Sequence, residues 1–162
     1  MLNVKNAEIA DLEQIMKIYR YAQDYMIKSG NPTQWGHFYP DADLIKSDID
    51  KNACKVIYDK DGIHGVFALF DGTEPTYEHI EGGNWLNEEP YLTIHRLAGD
   101  GQVHGLFPCA LNYCKKISLN IRVDTHADNK TMQRLIEKNG FIKCGTIYVK
   151  NGTARIAYQR TD

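Results

Sequence analysis

The segment at residues 102–107, Gln-Val-His-Gly-Leu-Phe, has the composition and the position of an anion-binding turn. It lies where a predicted strand ends and a predicted helix begins, so its backbone N–H groups could converge on one ligand. The helix dipole favours negative charge at that point, and a pyrophosphate suits the arrangement. Glycines in a loop also serve only to form a turn, so this segment by itself leaves both interpretations open.

A second segment, residues 129–141, follows a predicted buried strand and reads Asn-Lys-Thr-Met-Gln-Arg-Leu-Ile-Glu-Lys-Asn-Gly-Phe. It resembles the closing segment of the GNAT N-acetyltransferases, in which Asn, a small or apolar residue, Leu, Glu-Lys and Gly-Phe recur at this spacing. The chain is therefore similar to a family of acyl-CoA-dependent enzymes. The residues in register are Asn129, Met132, Leu135, Glu137, Lys138, Gly140 and Phe141.

The loop at 102–107 is similar to the acyl-CoA motif of the same family, which reads Gln or Arg, two residues, Gly, one residue, and then Gly or Ala. Gln102 and Gly105 match this pattern, whereas Phe107 replaces a small residue that lets the phosphates approach closely. The resemblance implies acetyl-CoA as cosubstrate, a divergent loop and no metal. The cofactor-binding residues that it implies are Leu97, Ala98, Gln102, Val103, His104, Gly105, Leu106, Phe107, Asn129 and Met132.

The resemblance also implies the reaction, which is acetyl transfer to a primary amine of a small molecule or peptide by direct attack on the thioester. An amine is mostly protonated at neutral pH, so a base must first remove a proton. His95 is the first candidate because it lies on the predicted central strand and imidazole titrates near pH 6.5, about the working pH. Tyr91, on the same face by period-two spacing, could relay the proton. The competing interpretation is that His95 simply faces the core or solvent.

Trp35, Tyr39 and His126 are candidate contacts for the acceptor. Trp35 and Tyr39 belong to an aromatic connection that could form one wall of a partly hydrated pocket or only pack between two helices. His126 is a rival base, and its competing interpretation is a helix-entry turn in which Asp128 is the cap. The acidic residues within 71–87 could attract a cationic amine or belong to a solvated loop.

One expected group is missing from the pattern. The family often has a tyrosine before Glu-Lys that protonates the departing CoA thiolate, and Ile136 occupies that position here. The proton would then come from water or from another tyrosine such as Tyr148. This difference supports an alternative function, an acyl-CoA-binding sensor or interaction module with little or no turnover.

Periodicity and turn signals predict the elements that position these residues. The first elements are an initial edge strand, a helix at 10–29 and a second helix that begins at Asp41 or Asp43 and ends near residue 51. A hairpin at 54–58 and 63–70 and a polar, exposed segment at 71–87 follow. A strand at 91–98, a helix at 106–117, a strand at 118–124, a helix at 129–139 and two strands around 151–152 follow. In the family's order they imply an α/β fold with a mixed, mostly antiparallel sheet flanked by helices. Its central strand splays from the neighbouring strand at 119–124, and Leu97 and Ala98 offer backbone groups to pantetheine.

Composition restricts the remaining possibilities. The 162 residues, 43% of them hydrophobic, predict one domain over 1–162. The net charge is -2 and basic residues are scattered, so nucleic acid is not expected as a partner. No apolar run has the length of a signal or a membrane span, which predicts a cytoplasmic protein without a membrane partner. The four cysteines have neither zinc-site nor disulfide spacing. The resemblance leaves open a homodimer through the C-terminal strands.

Overall fold

The computed structural model describes residues 1–162 and contains four α-helices, seven β-strands and two short 3-10 helices. The helices are α1 (Leu12–Lys28), α2 (Ala42–Asp50), α3 (Leu106–Lys115) and α4 (Lys130–Lys138). The strands are β1 (Asn3–Asn6), β2 (Cys54–Asp59), β3 (Gly62–Asp71), β4 (Leu92–Gly99), β5 (Ile121–Thr125), β6 (Ile142–Tyr148) and β7 (Ala154–Arg160). Each predicted helix and strand is present, with its ends shifted by a few residues.

The strands follow the order β1-β2-β3-β4-β5-β7-β6. The pairs β1–β2, β2–β3, β5–β7 and β6–β7 are antiparallel, and β4 pairs with β5 in parallel. The predicted α/β fold with a mixed, mostly antiparallel sheet is therefore confirmed. The chain divides into two compact units, one of Met1–Leu69 with His95–Tyr113 and one of Phe70–Ile94 with Cys114–Asp162. A single domain over the whole chain stays a prediction of the sequence.

The core of the first unit forms around one face of α1. Ile15, Ile18 and Tyr19 recur at helical spacing and are at most 1% exposed. They belong to a cluster that also contains Ile45 and Ile49 of α2 and residues of β2, β3 and β4. Helix α2 begins after Asp41, whose carboxylate accepts a hydrogen bond from the Leu44 N–H at 2.9 Å. Such an N-cap contributes about 1 kcal/mol, and it fixes the helix that carries Asp48.

The second unit holds β5, β6, β7 and α4 together with the segment between β3 and β4. The polar composition of that segment predicts an exposed excursion, and this prediction is wrong in its centre, because Tyr77 is 1% exposed. Tyr77 packs in a cluster with Tyr91, Ile147 and Ala157. The Trp85 indole N–H donates to the Tyr77 carbonyl at 2.8 Å. The segment therefore turns inward through its aromatic residues, although most of its side chains are polar.

None of the four cysteines forms a disulfide, and three of them are buried: Cys54, Cys114 and Cys144. Burial raises the pKa of the Cys54 thiol to about 12 and also raises the pKa of Cys144. Cys109 on α3 is half-buried. No helix in the chain combines the length and apolar character needed to cross a bilayer.

Candidate functional site

Helix α3 starts in close contact with two strands of the first unit. A Cβ atom on Gly99, at the end of β4, would lie 2.4 Å from the Leu106 Cδ1 atom. A Cβ atom on Gly65 of β3 would lie 2.9 Å from the Leu106 Cδ2 atom. Glycine at both positions therefore leaves room for the Leu106 side chain at the start of α3.

The loop before α3 presents several backbone donors. The Gln102 N–H donates to the Asp100 carboxylate at 2.8 Å. The N–H groups of Val103, His104 and Gly105 enter no backbone hydrogen bond, while the Gly105 carbonyl accepts the first helical bond, from the Cys109 N–H at 3.1 Å. Free N–H groups at a helix N-terminus are suited to a phosphate. The geometry thus fits the anion-binding interpretation of this segment.

Two details of the loop bear on its divergence from the family pattern. Gly105 has a φ of 85°, which L side chains rarely adopt, and no atom lies within 4 Å of the position where a Cβ would be. Phe107 is 5% exposed, so its ring lies in the interior and only its backbone remains near the helix start. The large side chain at this position therefore does not cover the surface of the loop.

His64 links the loop to the β2–β3 hairpin. Its Nδ1 atom lies 2.9 Å from an Asp100 carboxylate oxygen and its Nε2 atom lies 2.9 Å from an Asp59 carboxylate oxygen. Hydrogen bonding to Asp100, and then to Asp59, raises the pKa of His64 against the opposing effect of burial. Because the other Asp100 oxygen accepts from Gln102, His64 helps to position the loop. No local pattern singles out His64, since Asp100 lies 36 residues away along the chain.

A strained residue lies in the middle of β4. Arg96 has a φ of 54° although it is neither glycine nor asparagine. Its guanidinium donates to Asp48 on α2 at 2.6 Å and to the Tyr39 hydroxyl at 3.2 Å, and its carbonyl accepts from the Tyr19 hydroxyl at 2.8 Å. Such conformations cost about 1–3 kcal/mol and cluster at functional sites, held by the surrounding contacts. Arg96 and Asp48 are thus functional candidates that sequence reasoning missed.

The aromatic connection between α1 and α2 packs against this arrangement. The Trp35 ring lies edge-on to the rings of Tyr19, at 5.8 Å, and Tyr39, at 6.2 Å. The Tyr39 carbonyl accepts from the Gln23 side-chain amide at 2.8 Å. Trp35 is half-buried, whereas Tyr39 is 42% exposed. The Trp35 ring therefore packs against those of Tyr19 and Tyr39, and Tyr39 joins the Arg96 contacts to the surface.

The residues predicted along the central strand divide between the two units. His95, Leu97 and Ala98 belong to the first unit, with His95 half-buried and Ala98 6% exposed. Tyr91 belongs to the second unit, where its hydroxyl accepts from the Glu74 N–H at 2.8 Å. The parallel ladder of β4 with β5 consists of two pairs, Leu92 with Ile121 and Thr93 with Arg122. The ladder thus covers only the beginning of β4, as the predicted splay requires.

The residues predicted at the start of α4 are engaged in local turns. Asn129 is the N-cap, and its side-chain oxygen accepts from the Met132 N–H at 3.0 Å. The predicted cap at Asp128 is therefore wrong, because Asn129 is one residue closer to the first helical turn. His126 Nδ1 accepts from the Asp128 N–H at 3.0 Å, and burial lowers the pKa of His126. His126 thus belongs to the helix-entry turn and favours its neutral form.

Two further positions bear on the proton donor that the family resemblance implies. Ile136 is 1% exposed, so the position of the family's tyrosine faces the interior of the second unit. The Tyr148 hydroxyl donates to the Glu81 carboxylate at 2.8 Å. This hydrogen bond raises the pKa of Tyr148, which makes the hydroxyl a weaker acid than an ordinary tyrosine.

A cavity of about 230 Å³ lies in the second unit. Arg122 of β5 is 5% exposed and lines it, with its guanidinium 4.1 Å from the centre of the Trp85 ring and 3.9 Å from that of Tyr91. Beside the cavity, the Tyr77 hydroxyl donates to Asp124 at 2.6 Å. Sequence reasoning missed this cavity because its aromatic wall and Arg122 come from distant segments. Its lining residues are Thr73, Tyr77, Glu78, Trp85, Glu88, Tyr91 and Arg122.

Comparisons with known proteins identify the fold. No protein-family model matches the sequence, and no curated protein matches it. A GNAT-family acetyltransferase from Streptococcus agalactiae 2603 has a similar structure, with a TM-score of 0.87, 29% identity and coverage of 99% of this chain and 95% of that chain. An acetyltransferase structure from Staphylococcus aureus Mu50 gives a TM-score of 0.70, 27% identity and coverage of 98% and 97%. A GNAT-family acetyltransferase from Listeria monocytogenes 4b F2365 gives a TM-score of 0.71, 19% identity and coverage of 98% of this chain and 94% of that chain. At this identity the likeness supports the fold alone.

Proposed function

We propose that this chain, which resembles solved GNAT-family acetyltransferases in fold, is an N-acetyltransferase that transfers an acetyl group from acetyl-CoA to a primary amine. The observation that carries the proposal is the turn before α3. There, the N–H groups of Val103, His104 and Gly105 enter no backbone hydrogen bond, and Gly65 and Gly99 leave room for the Leu106 side chain against β3 and β4.

The cosubstrate would lie along the first unit. The pyrophosphate would accept hydrogen bonds from the loop at 102–107, where the helix dipole adds to the attraction. Pantetheine would run beside Leu97 and Ala98 of β4, whose backbone groups can bind it as a neighbouring strand would. Asn129 and Met132 are further proposed contacts, although the Asn129 side-chain oxygen already caps α4.

In the reaction, the amine nitrogen attacks the thioester carbon, the carbon–sulfur bond breaks, and CoA leaves as a thiolate that takes up a proton. The amine must lose a proton to a base before or during attack. We propose His95 as this base, with His126 as the rival and Tyr91 as a relay for the proton. Tyr91 accepts a hydrogen bond from the Glu74 N–H, which leaves its own proton available to donate. Trp35 and Tyr39 are the proposed contacts for the acceptor.

A second function is acyl-CoA binding without turnover, and the position of Ile136 favours it. A buried hydrocarbon side chain has no proton to give to a departing thiolate. Water or another side chain would have to supply this proton for turnover. The four cysteines form no disulfide, which suits a reducing compartment such as the cytoplasm, and we propose that location for either function.

The test is the release of CoA thiol from acetyl-CoA in the presence of a panel of primary amines, with mass spectrometry of the products. Release that depends on an amine, together with an acetylated amine, supports the enzyme. Acetyl-CoA binding by calorimetry without release supports the binding module. The absence of both binding and release contradicts both functions. Self-acetylation of lysines is checked on the intact protein in the same reaction.

A further inference from the structure

His64 of β3 lies between two carboxylates that come from different parts of the first unit. Its Nδ1 atom is 2.9 Å from an oxygen of Asp100, which follows β4, and its Nε2 atom is 2.9 Å from an oxygen of Asp59, at the end of β2. Only 12% of the His64 side chain is exposed, and each carboxylate is 18% exposed. Both ring nitrogens therefore meet an acceptor in a place that water reaches poorly.

This geometry is satisfied by one protonation state of the ring. An ionised carboxylate only accepts hydrogen bonds, whereas a neutral imidazole has one N–H donor and one bare nitrogen that is itself an acceptor. In the neutral ring, one of the two contacts would bring a nitrogen lone pair against a carboxylate oxygen. The protonated ring donates to Asp59 and Asp100 at once, so the loss of its proton must break one of the two contacts.

The charged groups around the ring favour its protonated form. Lys60 follows Asp59, but its ammonium group pairs with Asp61 at 2.9 Å and both side chains are exposed. The chain's amino terminus acts on Asp59 and adds to the lowering of the pKa of that carboxyl, of which a hydrogen bond from the Asp61 N–H is the main cause. The pKa of His64 is raised, above all by the hydrogen bond to Asp100, against the opposing effect of burial.

Asp100 connects the His64 ring to the turn before α3. Its Oδ2 atom faces His64 Nδ1, while its Oδ1 atom accepts from the Gln102 N–H at 2.8 Å, a side-chain turn typical of aspartate. The Asp100 N–H donates to the His64 carbonyl at 2.9 Å, so residue 100 contacts β3 through its backbone and its side chain. The N–H groups of the three residues after Gln102 enter no backbone hydrogen bond. Only Asp100 thus separates the ring from the turn proposed to bind the phosphates.

Charge acts in the same direction as the hydrogen bonds. The proton on His64 cancels one of the two carboxylate charges that face the ring. A pyrophosphate is an anion, and an uncompensated carboxylate beside the turn would oppose it. Protonation of His64 therefore favours a bound anion in two ways, because it keeps the contact to Asp100 and because it removes a negative charge.

Resting on the proposed function, we infer that His64 is a positioning residue for the turn before α3 and that its proton couples the binding of acetyl-CoA to pH. Acetyl-CoA binds more tightly when the ring is protonated, and by linkage the bound cosubstrate makes the ring hold its proton more firmly. The protein then takes up a proton when acetyl-CoA binds near neutrality, and the affinity falls as the pH rises through the titration of the ring. His64 acts through Asp100 and takes no part in the chemistry.

The experiment is calorimetry of acetyl-CoA binding from about pH 6 to about pH 8.5, in pairs of buffers that differ in ionisation enthalpy. The dependence of the binding enthalpy on the buffer gives the number of protons taken up, and we expect uptake by wild type near neutrality. The dissociation constant of wild type should rise across this range by about fivefold or more relative to that of His64→Gln, which has no titrating group at this position. Titration of the cosubstrate's own phosphates is common to both proteins and cancels in the comparison.

Asp59→Asn separates a proton-linked role of His64 from a merely structural one. The amide that this variant introduces can donate to the bare Nε2 atom of a neutral ring whose Nδ1–H donates to Asp100. The neutral ring would then satisfy both contacts, so Asp59→Asn should bind acetyl-CoA at alkaline pH about as tightly as wild type does at acidic pH. A structural defect would instead weaken binding at every pH. The matched control is His79→Gln, an exposed histidine of the second unit, which should follow wild type.

The outcomes distinguish this inference from the proposed function. Loss of the pH dependence in both His64→Gln and Asp59→Asn supports the inference. The same pH dependence and the same proton uptake in wild type and in both variants would overturn it and leave the turn before α3 as the phosphate site. Failure of wild type to bind acetyl-CoA at any pH would contradict the proposed function, and the inference with it.

Discussion

Arg96 and Asp48 form a buried ion pair in which Nη2 lies 2.6 Å from the carboxylate, with 10% and 3% of their side chains exposed. The pair joins β4 to α2 at the residue whose backbone is strained. Removing one charge would leave the other buried and unpaired, which costs about 3–5 kcal/mol. We therefore expect Asp48→Asn to lower the free energy of unfolding by about 3 kcal/mol, as measured by urea denaturation.

The matched control for this prediction is Asp50→Asn. Asp50 is exposed at the end of the same helix, so its loss should change the free energy of unfolding by less than about 0.5 kcal/mol. If both variants were equally stable, the ion pair would not be what holds Arg96 in its conformation.

The contacts of His64 predict a pH dependence of stability. Its pKa is raised in the folded protein by Asp100 and Asp59, so protonation is favoured more strongly in the folded than in the unfolded state. The stabilisation is full below the unfolded pKa of about 6.5 and is lost as the pH rises through the higher folded pKa. The difference in unfolding free energy between wild type and His64→Gln should therefore be largest at acidic pH and shrink above neutrality.

His79→Gln is the control for the His64 measurement. His79 also meets a carboxylate, Glu81 at 3.0 Å, but its side chain is 73% exposed. Exposed pairs of this kind contribute little, so its pH curve should follow that of wild type. Parallel curves for His64→Gln and wild type would show that the two aspartates do not bind the protonated form preferentially.

The proposed phosphate turn can be tested with two glycines of nearly equal geometry. Gly105 and Gly152 have φ values of 85° and 84°, and in neither case does an atom lie within 4 Å of the point that a Cβ would occupy. Replacing either by alanine forces a left-handed conformation that costs about 1–2 kcal/mol. Only Gly105→Ala should also weaken acetyl-CoA binding, because the alanine disfavours the loop conformation that binds the phosphates. If the free loop relaxes and binding must restore about 1.4 kcal/mol of strain, the affinity falls by about tenfold.

Calorimetry with acetyl-CoA decides between the two glycine variants, and urea denaturation confirms that their stabilities are comparable. Equal affinities for Gly105→Ala and Gly152→Ala would exclude the turn before α3 as the phosphate site. Gly152 lies in the β6–β7 turn of the second unit, so its effect on the loop is expected to be absent.

The proposed role of His95 as the base predicts a change in the pH profile of the proposed acetyl transfer. An imidazole base must be neutral to accept a proton, so the wild-type rate should fall on the acidic side. His95→Gln should lower kcat/KM by about 10²- to 10⁴-fold and remove this acidic limb. His126→Gln is the comparison, and the base is His126 if that variant alone loses the limb.

The fold could be predicted largely because its signals are local. Residues 54–58 alternate, a turn signal follows, and residues 63–70 are mostly apolar, so the pattern predicts the hairpin that is β2 and β3. The segment at 129–141 predicts α4, and Gly140 follows its end. These patterns depend on neighbours within a few positions, so the sequence displays them directly.

The candidate site could be predicted only in part, because its side chains meet across long separations. Arg96 and Asp48 are 48 residues apart, and a buried aspartate on a helix looks like any solvent-facing acid in the sequence. The polar residues of the segment at 71–87 predict exposure throughout. Its burial depends on Tyr77 and Trp85 packing beside Arg122, which lies on a strand formed much later in the chain.

The burial of the cysteines affects how the enzyme can be assayed. A thiolate is the form that reacts with disulfide reagents, and the interior positions of Cys54, Cys114 and Cys144 keep their sulfur atoms out of reach of such a reagent. In a native reaction mixture, such a reagent would label Cys109 once and otherwise report the CoA sulfur that the proposed acetyl transfer liberates. The fold thus supplies a low and constant background for continuous colorimetric measurement of turnover.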